Sequence, residues 1–313
     1  MTCAFVFPGQ GSQAVGMGRQ LADAFPSARV VFEEVDDALS ENLSRLMFEG
    51  PSETLMLTEN AQPLLMAASL AVARVLETEG GFLLADKCAF VAGHSLGEYS
   101  ALAAAGSLRI AETARLLRQR GEAMQQAVPV GEGAMAAILG LGADAVADAV
   151  AEAAGDEVCE VANDNAPGQV VVSGHSQAVD RAMEIAPERG AKRSVRLTVS
   201  APFHCKLMEP AAETMDEALS RTTIVTPAVP LVANVTAASV TEPATIRRLL
   251  VEQVTATVRW RESVLYLMSQ DVNSLVELGT GSVLSGLARR IDRELAAVSV
   301  QAPADVEDYL NSL

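Results

Sequence analysis

The sequence predicts an α/β protein in which a large, mostly parallel sheet carries a smaller inserted unit, and three observations point there. Short apolar runs bounded by Gly, Pro or Asn occur at residues 3–7, 88–93, 231–235 and 274–278, with long helical patterns between them. Between Pro129 and Pro202 the rhythm changes to closely spaced short elements. Half of the 313 residues are hydrophobic and 20% are charged, which is enough apolar material for one large domain or two smaller ones.

Residues 3–7 read as a first strand, because no basic segment precedes the apolar run as it would in a secretory signal. Helices are predicted over 62–79, 110–127, 209–220, 260–269 and 282–294, where Ala, Leu, Met, Glu and Arg dominate. Strands that alternate with helices pair in parallel, since each crossover needs a helix to carry the chain back. Inside the insert the expected order is strand 134–141, helix 143–154, strands 158–162 and 169–174, helix 177–188 and strand 193–199. That order is the split pattern of a ferredoxin-like unit. The domain division expected is therefore 1–128 with 200–313 for the large subdomain and 129–199 for the insert. Gly131-Glu132-Gly133 and Ser200-Ala201-Pro202 would be the two crossings.

Composition excludes several classes of function. No apolar stretch reaches the roughly 18 residues needed to cross a bilayer; the longest, 63–73, is stopped by Arg74. Forty acidic against 23 basic side chains leave a net charge of -17, which disfavours nucleic acid as a partner. The four cysteines, at 3, 88, 159 and 205, form no Cys-x-x-Cys pair, so neither a metal site nor a disulfide framework is expected and a reducing cytoplasm fits.

Gly93-His94-Ser95-Leu96-Gly97 fits Gly-x-Ser-x-Gly where a predicted strand meets a helical run, which makes the large subdomain α/β-hydrolase-like. A serine on such a turn is exposed to attack a carbonyl, and the helix N-terminus beside it offers unpaired amides, Leu96 among them, to an oxyanion. Only three histidines can serve as its base. His94 adjoins Ser95 and should point to the other side of the turn, and His175 ends a strand of the insert. His204 lies where the chain returns to the large subdomain and is the favoured base. Arg120 shares the apolar face of its helix with Leu116, Leu117 and Met124. A guanidinium there needs an anionic partner, either an internal carboxylate or the carboxylate of a substrate.

Phe7-Pro8-Gly9-Gln10-Gly11-Ser12-Gln13, Gly93 to Ala101, Gln119-Arg120-Gly121, Asn165-Ala166-Pro167-Gly168-Gln169 and Pro202-Phe203-His204 together resemble the malonyl-CoA:acyl-carrier-protein transacylase family, in the family's order and from end to end of the chain. The resemblance implies that Ser95 is acylated, that His204 is its base and that Arg120 holds the free malonyl carboxylate. It also implies an oxyanion hole of the Gln10 and Leu96 amides, a site lined by Gln62, Asn163 and Gln253, and a main-chain carbonyl near Gln253 that orients the histidine. Malonyl-CoA and acyl carrier protein are then the partners, with no cofactor or metal, and the protein is expected to be a cytoplasmic monomer serving fatty acid biosynthesis. Thr257 departs from the proline that many relatives carry before Val-x-Trp, which would loosen the loop bearing Gln253.

Three other readings compete. A serine esterase or thioesterase of the α/β-hydrolase kind would place an acid and then a histidine after the serine, but every acidic residue between Glu132 and His204 falls in the insert and no histidine follows 204. A non-enzymatic scaffold would have lost Ser95, His204 or Arg120. A polyketide-type acyltransferase shares the chemistry. Phe203, beside the base, should crowd an α-methyl branch and favour malonyl over methylmalonyl. An acidic carrier needs a local basic surface on so acidic a chain, and two clusters qualify: Arg189, Lys192, Arg193 and Arg196, and Arg289 with Arg290.

Overall fold

The computed structural model describes residues 2–313, and among them ten strands fall into two sheets. In chain order they are β1 (Cys3–Phe7), β2 (Phe90–Gly93), β3 (Gly133–Leu139), β4 (Cys159–Ala166), β5 (Gln169–His175), β6 (Arg193–Arg196), β7 (Leu231–Ala233), β8 (Ala238–Val240), β9 (Ser274–Leu278) and β10 (Ala296–Val300). The larger sheet has the order β10-β9-β1-β2-β7-β8 and is parallel except at β8, which turns back on β7.

The apolar runs are continuous because this sheet is covered on both faces. Phe5, Phe7, Val91, Leu231, Val276 and Leu278 pack to one side with the long helix Thr58–Gly80. Alternate positions, Ala4, Val6, Ala92, Val232 and Leu275, pack to the other with Trp260, Val264, Leu267 and Leu284. Helix Thr58–Gly80 is buried on almost every side, which explains a hydrophobic stretch unusual for a surface helix. No helix among the described residues is long and apolar enough to cross a membrane.

The second sheet has the order β4-β5-β3-β6 with every pairing antiparallel, the arrangement expected of the split pattern. Helices Ala143–Ala154 and Ser176–Glu188 cover one face through Ile138, Val150, Val172 and Val179. The other face presents Met135, Ala162 and Val171 toward Leu197 and Phe203. The two crossings touch: a Cβ on Gly133 would lie 2.4 Å from Cγ of Pro202, so only glycine lets them pass.

Three expectations are corrected. β4 runs to Ala166 instead of stopping at 162, with register shifts at Val161/Asn163 and Asp164/Ala166 that polar residues inside a strand disguise in the sequence. β6 ends at Arg196 instead of 199: the Leu197 N–H still donates to the Met135 carbonyl at 2.9 Å, and beyond it residues 198–199 leave the ladder to line a cleft. Strands β8 and β10 lie outside the predicted runs, the first being three residues long and the second alternating exposed and buried at one sheet edge.

Candidate active site

β2 delivers the chain to a sharp turn at its C-terminal end, where open α/β sheets place their ligands. Ser95 occupies that turn with φ 54°, a left-handed conformation uncommon for a residue with a side chain. The flanking glycines make the turn possible. A Cβ on Gly93 would sit 1.9 Å from the Gly97 carbonyl carbon, and one on Gly97 would sit 2.1 Å from the Phe7 carbonyl oxygen. Helix Gly97–Ala104 starts immediately afterwards.

His204, also left-handed at φ 57°, brings Nε2 to 2.8 Å from Ser95 Oγ. Its Nδ1 donates to the Gln253 main-chain carbonyl at 2.9 Å, so Nε2 is left to accept the serine proton. Burial, followed by the nearby Arg120 cation, pulls the imidazole down to about 3. The imidazole is therefore neutral at ordinary pH.

Arg120 is 1% exposed and belongs to the same cluster. Its Nη2 donates to Ser95 Oγ at 3.1 Å and to Gln253 Oε1 at 2.9 Å, and its Nη1 donates to Gln62 Oε1 at 2.8 Å. The guanidinium also lies over the Tyr99 ring, 5.7 Å from its centroid. The internal-carboxylate reading is corrected: the groups it bonds are all neutral, and among the described residues no carboxylate comes within 4.0 Å of it. Its buried Nε has no protein partner.

Ser95, His204 and Arg120 open into a cleft of about 710 Å³ between the two sheets, which Gln10, Asn163 and Phe203 also line. Among the described residues the backbone N–H groups of Gln10 and Leu96 donate to no protein acceptor. A serine with a neutral base, free amides beside it and a buried cation at hand can accept an acyl group that carries a negative charge.

The acyl transferase domain model matches residues 4–303. The chain belongs to the acyl transferase domain family. Its relatives in this family include the malonyl CoA-acyl carrier protein transacylase of Bacillus subtilis strain 168, 46% identical over 313 residues, covering 99% of this chain and 96% of that protein. Among solved structures, the acyl-carrier-protein-S-malonyltransferase of Bartonella henselae superposes with a TM-score of 0.97 at 53% identity, covering 100% of this chain and 99% of that one. A malonyl-transacylase in complex with its type II PKS acyl-carrier protein superposes with a TM-score of 0.97 at 42% identity, with all of both chains covered.

The acyl transferase fold gathers every residue singled out in the sequence for the site. Gln62 is 1% exposed and bonded to Arg120, Asn163 is 7% exposed on the cleft wall, and Gln253 is fully buried. The expected loosening at Thr257 is corrected, because its hydroxyl donates to the Val161 carbonyl at 2.5 Å. Val258 on the same loop donates to Ala162 O and accepts from Asp164 N, which ties the loop to β4.

The other two histidines have partners away from Ser95 Oγ. His94 bonds Asn165 at 2.9 Å and packs on Trp260, while His175 accepts from Val158 N. Most arginines of the two basic clusters have partners within the chain. Arg189 pairs with Glu152 and Arg196 with Asp180, Arg289 donates to Ala297 O, and Arg290 donates to Gln169. Among the described residues Lys192 and Arg193 remain exposed without an ion pair.

Sequence reasoning missed Asn234 and gave Glu98 no role. Asn234 accepts from Ser95 N at 2.8 Å and donates to Gly93 O at 2.7 Å, clamping the turn. A polar residue directly after an apolar strand was the available signal, but it carries meaning only once β7 is known to lie beside β2.

Proposed function

We propose that the protein moves a malonyl group from malonyl-CoA to the phosphopantetheine thiol of an acyl carrier protein, through an acyl-enzyme on Ser95, in support of fatty acid biosynthesis. The observation that carries this reading is the sharing of Ser95 Oγ by His204 Nε2 at 2.8 Å and Arg120 Nη2 at 3.1 Å, with no carboxylate beside the guanidinium among the described residues. Arg120 is then a receptor for the distal carboxylate of the acyl group, which a planar guanidinium binds with two parallel hydrogen bonds.

In the first half-reaction His204 Nε2 takes the Ser95 proton as Oγ attacks the thioester carbonyl. The carbonyl oxygen becomes an oxyanion held by the Gln10 and Leu96 amides. Collapse breaks the carbon–sulfur bond, and coenzyme A leaves with the proton from His204. The carrier thiol then gives its proton to His204, attacks the Ser95 ester and leaves with the acyl group, while Ser95 recovers the proton.

The arrangement requires no cofactor or metal. Gln62, Gln253 and Asn163 shape the site, and Phe203 crowds an α-methyl branch, a discrimination worth about 1 to 3 kcal/mol. Residues 129–199 act as a subdomain that walls one side of the cleft, and the protein works as a cytoplasmic monomer. The similarity to a malonyl-transacylase of a type II PKS carrier favours a second reading, in which the same half-reactions load a polyketide carrier.

The test is intact-protein mass spectrometry after mixing with malonyl-CoA, followed by addition of either carrier. A malonyl adduct that persists until a carrier thiol arrives is expected, and Ser95→Ala should fold yet form none. An adduct on that variant, or rapid hydrolysis of the wild-type ester, would overturn the reading. His204→Ala should slow both half-reactions together.

A further inference from the structure

Two carboxylates of the large sheet region are fully buried, and one is explained by its surroundings. Glu277 accepts from the Leu284 and Ser285 amides and so caps helix Val283–Ile291. Glu98, 1% exposed in the first turn of its helix, does no such thing. Its Oε2 accepts from Gln253 Nε2 at 2.7 Å and from Asn234 N at 3.2 Å.

Both of those partners hold Ser95. Asn234 Oδ1 takes the Ser95 N–H at 2.8 Å, and Gln253 Nε2 donates to the Ser95 carbonyl at 3.0 Å. One oxygen thus anchors the two clamps that keep the serine in its left-handed conformation. The Gln253 amide is also forced to face one way. Its NH2 meets two acceptors, Glu98 and Ser95 O, while its oxygen meets the Arg120 guanidinium, which can only donate. Turning the amide over would set oxygen against oxygen and donor against donor. The same residue's main chain orients His204.

We propose that Glu98 is a positioning residue for acyl transfer: through Gln253 and Asn234 it fixes the peptide groups of Ser95 and the face of the Gln253 amide that meets Arg120. The proposal rests on the reading of Ser95 as the acylated nucleophile. What matters in it is an acceptor oxygen at the right reach, not the negative charge. Substitutions at 98 should therefore act on the rate of the chemical step more than on binding of malonyl-CoA.

The test compares Glu98→Met, Glu98→Gln and Glu98→Asp by the first-order rate of Ser95 acylation across malonyl-CoA concentrations. Met, close in shape but without an acceptor, should lower the saturated rate at least about 10-fold with the half-saturating concentration changed by less than about twofold. Gln keeps an oxygen at full reach and should stay within about threefold of wild type, whereas Asp, one methylene shorter, should fall nearer to Met. Wild-type acylation by Glu98→Met, an active Asp variant beside a damaged Gln variant, or a rise in half-saturation at unchanged rate would each overturn the proposal. Should Glu98→Met fail to fold, the order of Gln and Asp decides. Failure of the wild-type protein to form any adduct would sink the acyl-enzyme reading and this proposal together; an acylating wild type with indifferent variants sinks this one alone.

Discussion

Arg120 shows what a single side chain can contribute when its partners are neutral. Two amide oxygens, a serine hydroxyl and an aromatic face hold the guanidinium with no carboxylate bonded to it, and on the proposed reading an acyl group with its own carboxylate is favoured over an uncharged one. Arg120→Ala is expected to lose malonyl transfer by at least about 100-fold while gaining relative activity on acetyl-CoA, read from the two acylation rates. A parallel fall of both rates with a large drop in melting temperature would assign the residue to structure instead. The histidine gives a pH prediction of definite sign. With His204 held near 3, the base stays neutral through the range where a free imidazole near 6.5 would protonate, so the acid limb of Ser95 acylation should lie well below pH 6. Stability follows the same shift: a lowered pKa contributes stability above 6.5 that is lost as pH falls toward 3. Glu98 works in the opposite direction. Burial raises it from 4.5 to about 7, so its contribution is lost as pH rises across that interval. Melting temperatures at pH 4, 6 and 8 for wild type, His204→Asn and Glu98→Gln separate the two.

At the level of elements, the turn between β2 and helix Gly97–Ala104 tolerates little. Gly93→Ala would drive a methyl into the Gly97 main chain, and backbone cannot rotate aside as a side chain can, so a loss of about 3 kcal/mol or more is expected in denaturant titration, with acylation abolished. The strands β1 and β9 and the helices Ala143–Ala154, Glu209–Ser220 and Trp260–Ser269 were legible to the residue, because each is a clean periodic run closed by a breaker. β4 was not, since Asn163, Asp164 and Asn165 read as loop and are strand only because β5 and the Val258 loop supply their hydrogen bonds. Ser95, His204 and Arg120, which the fold brings together, could be singled out because each is rare or misplaced in the sequence: one Gly-x-Ser-x-Gly turn, three histidines, one arginine on an apolar face. Glu98 and Asn234 could not, since their meaning lies in contacts between residues more than 130 positions apart, at separations of 136 and 139.

Across the whole molecule the surface is strongly acidic, with a net charge of -17, and most arginines of the two expected docking clusters are committed to internal partners. Lys192 and Arg193 are the pair of those clusters left exposed without an ion pair, and on the proposed reading they would attract an acidic carrier. Reversing both to Glu should raise KM for the carrier about 5-fold or more and flatten its dependence on salt, with self-acylation from malonyl-CoA unchanged. Reversing Arg289 and Arg290 should instead show itself as lower stability, since those side chains bond β10 and β5. Unaltered carrier kinetics in the Lys192/Arg193 variant at low ionic strength would move docking to apolar contacts. The position of the cleft between two sheets has a further consequence for how the chain acquires activity. Ser95 meets His204 across 109 residues and the Gln253 clamp across 158, with the whole of the smaller sheet threaded between serine and histidine. Contacts that distant in sequence form only after long loops have closed. During refolding, helical structure should therefore return ahead of the capacity to become acylated, and that capacity has to wait for a cleft whose walls are assembled from residues as distant as Gln10 and His204.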